Sequence, residues 1–192
     1  MKTKAVAVLV AVILSITLLA GCSGQKATTP STTSPATTQA GSAAPDVVTT
    51  ASIVDNEAAF EKAISSSGTW IIATLKDLTF TKDLVLDGEF KNGKKDEAGK
   101  DIIQRKIGLY AQDANRKVTA RYNLTAPKLT INSPNARIQR GTFKGDLYVS
   151  AKNFELVDAT VDGNVYFTTD EAKSTFKMDA TSKVTGKQEL KK

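Results

Sequence analysis

Two consecutive segments of equal length repeat each other: LTINSPNARIQRGTFKGD (Leu129–Asp146) and LYVSAKNFELVDATVDGN (Leu147–Asn164). This eighteen-residue pattern continues into Val165-Tyr166-Phe167, and Thr142 likewise recurs as Thr160. The recurring apolar positions are Leu129, Leu147 and Val165; Ile131, Val149 and Phe167; Ala136 and Phe154; Ile138 and Leu156; and Phe143 and Val161. Because apolar and polar residues alternate at these places, each repeat predicts three short β-strands.

Three short strands per repeat, separated by polar or glycine-containing corners, are what a β-solenoid requires. Residues one repeat apart would stack about 4.8 Å apart along the axis, and Gly145 and Gly163 would let the chain turn without a Cβ clash. Parallel crossovers favour the right-handed sense. We therefore predict a mainly β fold, a right-handed parallel β-helix of about five or six turns over Trp70–Lys192.

Two other architectures remain open. A β-sandwich also has regularly spaced strands, although its strands do not usually keep residue identity in phase over many positions. Left-handed hexapeptide helices have a coil of the same length, built from three equal steps of six. Here the apolar positions Ile131, Ile138, Phe143 and Val149 are instead spaced by seven, five and six positions.

One α-helix is predicted ahead of the strands, over Asn56–Ile64. Asp55 is its predicted N-cap, Phe60 lies on its apolar face, and Gly68 follows as a stop signal. This helix is expected to cover the first turn of the β-helix at its N-terminal end.

Degenerate copies of the repeat flank the central ones. Phe176, Met178 and Val184-Thr185-Gly186 form a later copy, which follows an insertion around Thr168–Ser174. Leu86-Asp87-Gly88 is interpreted as an earlier copy of the glycine corner. The charged segment Lys91–Lys106 is predicted to be a solvated loop, or alternatively a binding loop between two turns.

Residues 1–21 resemble the signal peptide of bacterial lipoproteins. Two lysines precede the apolar run Ala5–Ala20, which is short for a membrane span. The run ends in Leu19-Ala20-Gly21-Cys22, which matches the lipobox, and Cys22 is the only cysteine of the chain. The resemblance implies cleavage before Cys22 and transfer of a diacylglyceryl group to its thiol. An ordinary secreted protein with a chance cysteine at this place is the alternative.

The chain is therefore predicted to have three parts. Residues 1–21 are the signal peptide, residues 22–50 are the lipidated Cys22 with a disordered tether rich in Ser, Thr, Pro and Ala, and residues 51–192 are the β-helix domain. Removal of residues 1–21 takes away two lysines and no acid, so the net charge falls from +6 to +4. We expect a protein that is lipid-anchored to the cell membrane on its extracytoplasmic side.

The domain also resembles two groups of β-helix proteins. Its repeat length and its three strands per turn resemble those of bactofilins, bacterial scaffolds that form polymers. Its first helix, followed by Leu84–Gly88, is similar to the start of pectate-lyase-like β-helices. The resemblance covers roughly Asn56–Gly186 in pattern only, and because one fold serves many functions it implies an architecture and not an activity.

The composition excludes several kinds of active site. The chain has no histidine and one cysteine. It therefore lacks the residues for Ser-His-Asp or Cys-His catalysis, for the usual zinc sites, for an internal disulfide and for a CxxC pair. We predict no cofactor and no bound metal. The sequence has no glycine-rich phosphate loop and no basic patch interleaved with aromatic residues, so nucleic acid is not a predicted partner.

The candidate binding residues are Tyr148 and Tyr166, which share an outward column with Thr130. Two tyrosines one turn apart are able to stack on sugar rings or to pack against a partner. An ordinary cross-strand aromatic pair is the alternative. We therefore predict a non-catalytic module of the cell envelope, structural or binding, whose partner is cell-wall polysaccharide, another glycan or an envelope protein.

The alternative function is that of a reduced pectate-lyase-like enzyme acting on polysaccharides. Such an enzyme needs clustered carboxylates for calcium and a base, for which Arg137 or Arg140 is available. The carboxylates considered are Asp83, Asp87, Asp146, Asp158, Asp162 and Asp179. Asp158 and Asp162 are aligned with Arg140 and Lys144 rather than with other acids, so no column concentrates negative charge.

Charged residues are also predicted to support the architecture. Arg137, Glu155 and Lys177 form a column of alternating charge, interpreted as structural. Several lysines near the C-terminus are expected to guard the last strand edge, which predicts a monomer, with a weak tail-to-tail dimer as the alternative. These lysines are Lys183, Lys187, Lys191 and Lys192.

Overall fold

The computed structural model of the chain describes residues 51–191. Most of these residues lie in short β-strands, and the two large sheets are entirely parallel, so the predicted mainly β class is confirmed. The predicted signal peptide, the Leu19-Ala20-Gly21-Cys22 motif and the tether all lie outside the described residues.

The described residues contain eighteen strands and two helices. The elements of the first half are β1 (Ala51–Val54), α1 (Glu57–Ile64), β2 (Ile71–Thr74), β3 (Leu78–Thr79), β4 (Leu84–Leu86), β5 (Lys91–Lys95), β6 (Asp101–Ile103), β7 (Arg105–Gly108), β8 (Tyr110–Gln112) and β9 (Val118–Arg121). The elements of the second half are β10 (Asn123–Ile131), β11 (Ala136–Gln139), β12 (Thr142–Val149), β13 (Glu155–Val157), β14 (Thr160–Asp162), β15 (Val165–Phe167), α2 (Asp170–Thr175), β16 (Lys177–Met178), β17 (Lys183–Val184) and β18 (Gln188–Leu190).

Six strands form sheet A, in the order β1-β2-β7-β11-β13-β16. From β2 onward, the chain leaves sheet A after each strand, passes through sheet B and returns to sheet A one position further along. Sheet B has two wings that share the long strands β10 and β12. The first wing has the order β3-β10-β12-β14-β17, and the second wing has the order β4-β10-β12-β15-β18.

The strand register reproduces the repeat of the sequence. Leu147 pairs with Leu129 on one side and with Val165 on the other, one repeat away in each direction. Leu156 pairs in the same way with Ile138, and Val161 with Phe143. Near Pro127 the register of β10 against β12 shifts by one position, so the chain carries one extra residue at that corner.

The inward residues of sheet A and of both wings of sheet B form a common hydrophobic cluster. Leu129, Leu147 and Val165 are fully buried, as are Phe143 and Val161. Burying such a side chain contributes about 1.5–3 kcal/mol relative to leaving it in water. The stacked apolar columns are therefore the main source of stability. The polar residues that alternate with them along each strand face the solvent.

One corner of the repeat uses asparagines with left-handed backbone conformation. Asn135 and Asn153 have φ values of 54° and 57°, and the Asn153 side-chain amide donates a hydrogen bond to Oδ1 of Asn135 at 2.9 Å. Asparagine tolerates this conformation better than other side chains. The Asn135 amide donates in turn to the Ile103 carbonyl, so the corner is tied through three successive layers.

Glycines are required where the first wing turns into the second. Gly145 has a φ of 138°, and a Cβ placed there would lie 1.9 Å from the Ala126 carbonyl oxygen of the layer before it. A Cβ on Gly163 would lie 2.1 Å from the Gly145 oxygen. The predicted glycine corner is therefore confirmed, and neighbouring backbones at this corner stand too close for any side chain.

The charged segment predicted as a solvated loop is instead an exposed antiparallel hairpin, β5–β6. A second hairpin, β8–β9, follows β7 and was not predicted. The two turns, DEAGK (Asp96–Lys100) and DANRK (Asp113–Lys117), have the same chemistry, because the first aspartate accepts hydrogen bonds from the backbone N–H groups two and four positions later. This shared turn is the signal that the sequence carried for both hairpins.

The predicted N-terminal helix is confirmed as α1, with a different cap. Asn56, rather than Asp55, is the N-cap, and its Oδ1 accepts a hydrogen bond from the Ala59 N–H at 2.9 Å. Asp55 instead accepts a hydrogen bond from the Asn56 side-chain amide. The helix ends at Ile64, as predicted, and its buried face packs on β1, β2 and β4.

One other expectation is corrected. Leu86 pairs with Ile131, so it belongs to the second wing, and Leu78 occupies the position that the sequence assigned to Leu86-Asp87-Gly88. The insertion around Thr168–Ser174 forms the short helix α2, whose Ala172 is buried. The later copy itself is confirmed, because Met178 pairs with Leu156 and Val184 pairs with Val161.

Arg105 in β7 is fully buried, which the sequence did not indicate. Its guanidinium donates hydrogen bonds to four backbone carbonyls: Thr69 at 3.0 Å, Ala63 at 2.5 Å, Ser65 at 2.8 Å, and Asp87. The ring of Phe90 lies 4.0 Å from its Cζ, and burial lowers the pKa of Arg105 to about 10. Arg105 therefore joins the end of α1 to the middle of sheet A.

Candidate functional site

The two tyrosines selected from the sequence lie side by side on the second wing of sheet B. Tyr148 pairs with Tyr166, and Thr130 precedes Tyr148 in the same column, as predicted. Val85 and Glu189 extend this column at its two ends. Since Val85 is 43% exposed, the column presents an apolar and aromatic strip at the surface.

The tyrosine rings are in contact but are not parallel. Their centroids are 4.9 Å apart and their planes are inclined by 47°. The Lys191 ammonium lies 4.4 Å from the centre of the Tyr166 ring and 5.4 Å from that of Tyr148. It also donates a hydrogen bond to the Tyr148 hydroxyl at 3.0 Å, which raises the pKa of Lys191. The pair is thus an aromatic surface with a cation resting on it.

Polar groups line the strip on one side. The Lys128 ammonium is 5.6 Å from the Tyr148 ring and forms an ion pair with Asp83 at 2.6 Å, which raises the pKa of Lys128. Asp146 accepts a hydrogen bond from the Asn164 side chain at 2.9 Å. Hydrogen-bond donors and acceptors therefore stand beside an aromatic surface, which is the combination that sugar hydroxyls and sugar rings require.

The tyrosine strip is an open surface. Two shallow cavities of about 280 and 380 Å³ lie beside α1, and neither is lined by a tyrosine of the strip. An extended molecule that lies along the strands fits such a surface better than a small molecule that needs an enclosing pocket.

Lys128 and Lys191 were missed as members of this surface. Lys191 is far from both tyrosines in the sequence, and the last layer is out of phase with the repeat, because Val165 pairs with Gln188 across an inserted helix. Nothing in the sequence aligned Lys191 with the tyrosines. Lys128 was visible as the register partner of Asp146, two positions before the Thr130 column.

The predicted charged column lies on sheet A. Arg137 pairs in register with Glu155, which pairs with Lys177. Nε and Nη2 of Arg137 donate to the same Glu155 oxygen at 3.0 and 2.5 Å. The structure adds Lys106 before Arg137 in this column.

The carboxylates considered for a calcium site do not converge. Asp158 forms ion pairs with Arg121 at 2.6 Å and Arg140 at 3.6 Å, and Asp162 accepts a hydrogen bond from Thr185. Asp179 accepts hydrogen bonds from Ser182, which lower its pKa to about 2. Within residues 51–191 no group of three or more acids, cysteines or histidines is placed to hold a metal ion.

No family of protein sequences, no curated protein and no solved structure matches this chain. In the part of the chain that the structure describes, no helix has both the length and the apolar character of a membrane span.

Proposed function

We propose that the protein is a non-catalytic binding module of the cell envelope, and that the strip around Tyr148 and Tyr166 binds a glycan chain. The observation that carries the proposal is the contact of two half-buried tyrosines on an open strand surface, beside the Lys191 and Lys128 ammonium groups. Tyrosine rings pack against the apolar faces of sugars, and the flanking donors and acceptors meet their hydroxyls.

The proposed scaffold for this surface is a right-handed parallel β-helix. The parallel register, the crossing from sheet A through both wings of sheet B and the stacked glycine corner support this architecture. The right-handed sense rests on the general preference of parallel crossovers. Such a scaffold holds outward side chains at fixed spacings of about 4.8 Å, which suits a linear ligand.

Replacing Tyr148 or Tyr166 with alanine is expected to weaken glycan binding by roughly tenfold, because each change removes one of the two stacking surfaces. Affinity electrophoresis of the full-length chain through gels that contain cell-wall polysaccharide measures this effect. The matched control is Tyr110→Ala, which removes a tyrosine beside sheet A and leaves the strip intact.

Equal mobility of the wild-type chain in gels with and without polysaccharide would overturn the glycan proposal. The competing proposal of a polysaccharide lyase predicts a different observation. A lyase would convert acidic polysaccharide, in the presence of calcium, to an unsaturated product whose absorbance can be monitored. The product would be lost in Arg137→Ala or Arg140→Ala.

The proposed location is the extracytoplasmic face of the cell membrane, with the chain held by lipid on Cys22. Support comes from the order of features in the sequence, which are two lysines, the apolar run Ala5–Ala20 and the Leu19-Ala20-Gly21-Cys22 motif. One acyl chain holds a protein only weakly, whereas two chains give stable attachment. A diacylglyceryl group on Cys22 would supply two.

The wild-type protein is therefore expected to sediment with membranes and to remain there in high salt, which screens electrostatic adsorption. Cys22→Ala removes the thiol, so the chain is expected either to enter the medium or to keep the signal segment that precedes position 22. Fractionation followed by mass spectrometry distinguishes these states. A fully processed Cys22→Ala protein retained in the salt-washed membrane would contradict the lipid anchor.

A further inference from the structure

Sheet A carries two like charges directly opposite each other. The pairing of β7 with β11 aligns Lys106 with Arg137, and both side chains are half-buried on the outward face. Neighbouring strands are about 4.8 Å apart, and like charges in this arrangement repel. A fold gains nothing from such a pair unless something neutralises it.

The protein neutralises only one member of the pair. Arg137 is bound to Glu155, but Lys106 has no carboxylate within 4.0 Å among residues 51–191. Its ammonium instead lies 3.5 Å from the Tyr110 hydroxyl and 5.8 Å from the centre of that ring. Lys106 is therefore an uncompensated cation beside a second cation.

Tyr110 is held in place by the backbone beneath it. A Cβ on Gly108 would lie 3.2 Å from the Tyr110 ring, so the ring packs where β7 has no side chain. The Arg140 guanidinium lies 4.4 Å from the centre of the ring. Lys106 and Arg140 are thus both gathered around one fixed aromatic ring, whose hydroxyl is near Lys106.

We define these four residues, Lys106, Tyr110, Arg137 and Arg140, as the cationic cluster. Its surroundings do not cancel its charge. Arg140 shares the carboxylate of Asp158 with Arg121. Within residues 51–191, the three cations of the cluster and Arg121 therefore form ion pairs with only two carboxylates, those of Asp158 and Glu155. Lys106 and Arg137 lie in sheet A, Tyr110 lies in the adjoining hairpin β8–β9 and Arg140 directly follows β11, whereas the tyrosine strip lies on sheet B.

We propose that the cationic cluster binds the phosphoryl groups of a phosphate polymer, with one group bridging Lys106 and Arg137. A phosphoryl group offers several acceptor oxygens and accepts hydrogen bonds from ammonium, guanidinium and phenol groups at once. Binding relieves the repulsion between Lys106 and Arg137, which gives the site a source of affinity that a scattered set of lysines lacks. A polymer fits better than a free anion because Arg140 offers a third cation next to the pair of Lys106 and Arg137.

The test measures binding of long-chain inorganic polyphosphate to the full-length chain, kept in detergent, at several salt concentrations. Lys106→Gln combined with Arg137→Gln is expected to weaken binding at least about tenfold and to reduce its salt dependence. The matched control, Lys183→Gln with Lys187→Gln, removes the same charge from the region of β17 and β18 and is expected to change binding less than about twofold. An equal loss in both double variants would overturn the assignment, because it would indicate attraction to net charge alone.

A variant that gains affinity excludes misfolding as the explanation. Glu155→Gln frees the Arg137 guanidinium and is expected to tighten polyphosphate binding about threefold, since it removes a competing carboxylate. Glu189→Gln, which removes an acid from the other sheet, is the control and is expected to leave binding unchanged. No gain in Glu155→Gln, or an equal gain in both variants, would overturn the site.

Three further ligands identify the chemistry. Orthophosphate and poly-L-glutamate are expected to compete poorly, and competition by either at an equal charge concentration would overturn the preference for a phosphate polymer. Oligothymidylate is expected to bind no more tightly than polyphosphate at an equal phosphate concentration. Tighter binding would mean that bases are recognised, which contradicts the proposal. Tyr148→Ala is expected to bind polyphosphate as the wild type does. The polyphosphate test is therefore independent of glycan binding at the tyrosine strip.

Discussion

Arg105→Met is expected to lower the free energy of unfolding by roughly 3–5 kcal/mol. Methionine keeps most of the volume and the apolar stem, but it removes the guanidinium donors of four carbonyl oxygens, of which that of Ser65 keeps a hydrogen bond from the Gly68 N–H. Two of these carbonyls, those of Ala63 and Ser65, belong to the end of α1, where helix carbonyls have no partner within the helix. The loss is therefore expected to detach α1 from sheet A.

Chemical unfolding followed by the fluorescence of Trp70, the one tryptophan of the chain, measures this effect. Arg121→Met is the matched control, because Arg121 is exposed and holds only the carboxylate and carbonyl of Asp158. Its cost is expected to stay below about 1 kcal/mol. Arg105→Lys is expected to be nearly as harmful as Arg105→Met, since an ammonium keeps the charge but cannot span four acceptors. Equal stability of Arg105→Met and Arg121→Met would show that the carbonyl contacts are not needed.

Gly145→Ala is expected to destabilise the fold by roughly 2–4 kcal/mol. Alanine disfavours a φ of 138°, and its Cβ would overlap the Ala126 carbonyl oxygen at 1.9 Å. The neighbouring strands β10 and β12 would have to separate at this corner to make room. The expected result is a lower midpoint in urea unfolding monitored by circular dichroism.

Gly99→Ala separates the effect of close packing from that of backbone conformation. Gly99 also has a positive φ, of 77°, but nothing lies within 4 Å of a Cβ placed there. Its substitution is expected to cost only about 1 kcal/mol, the usual penalty for alanine in left-handed conformation. If Gly145→Ala destabilised the fold no more than Gly99→Ala does, the close contact between layers at the Gly145 corner would be contradicted.

The repeat columns were visible in the sequence because each inward position carries the same physical requirement in every layer. Leu129, Leu147 and Val165 must each fill the same space above and below, and so they recur at a constant distance. The tyrosine pair was found for the same reason. The number of residues between paired positions changes between Val161 and Val184, because α2 is inserted there. In that layer, only the order of apolar residues and glycine identified the repeat.

Residues with long-range partners were not visible. Arg105 was interpreted as part of a charged, solvated segment, because its partners are backbone carbonyls, which leave no trace in the sequence. Lys106 and Tyr110 meet Arg137 and Arg140 only because β7 pairs with β11 across the inserted hairpin β8–β9. The Asn135 and Asn153 corner was different, since these residues share the spacing of the repeat and were available to the same analysis.

The register of Leu147–Asn164 against its neighbouring layers also bears on how long such a molecule can be. The strands of this segment pair with the layer before it at an offset of one repeat, and with the layer after it at one repeat in β15 but at 22 and 23 residues in β16 and β17, which follow the inserted helix α2. A tandem duplication of the segment would therefore still present the existing layers with the partners they already have. Each added copy would bring its own buried residues, and stability would grow approximately as a sum over copies. The length of the molecule is thus a quantity that gene duplication can change by whole layers, without redesigning either end.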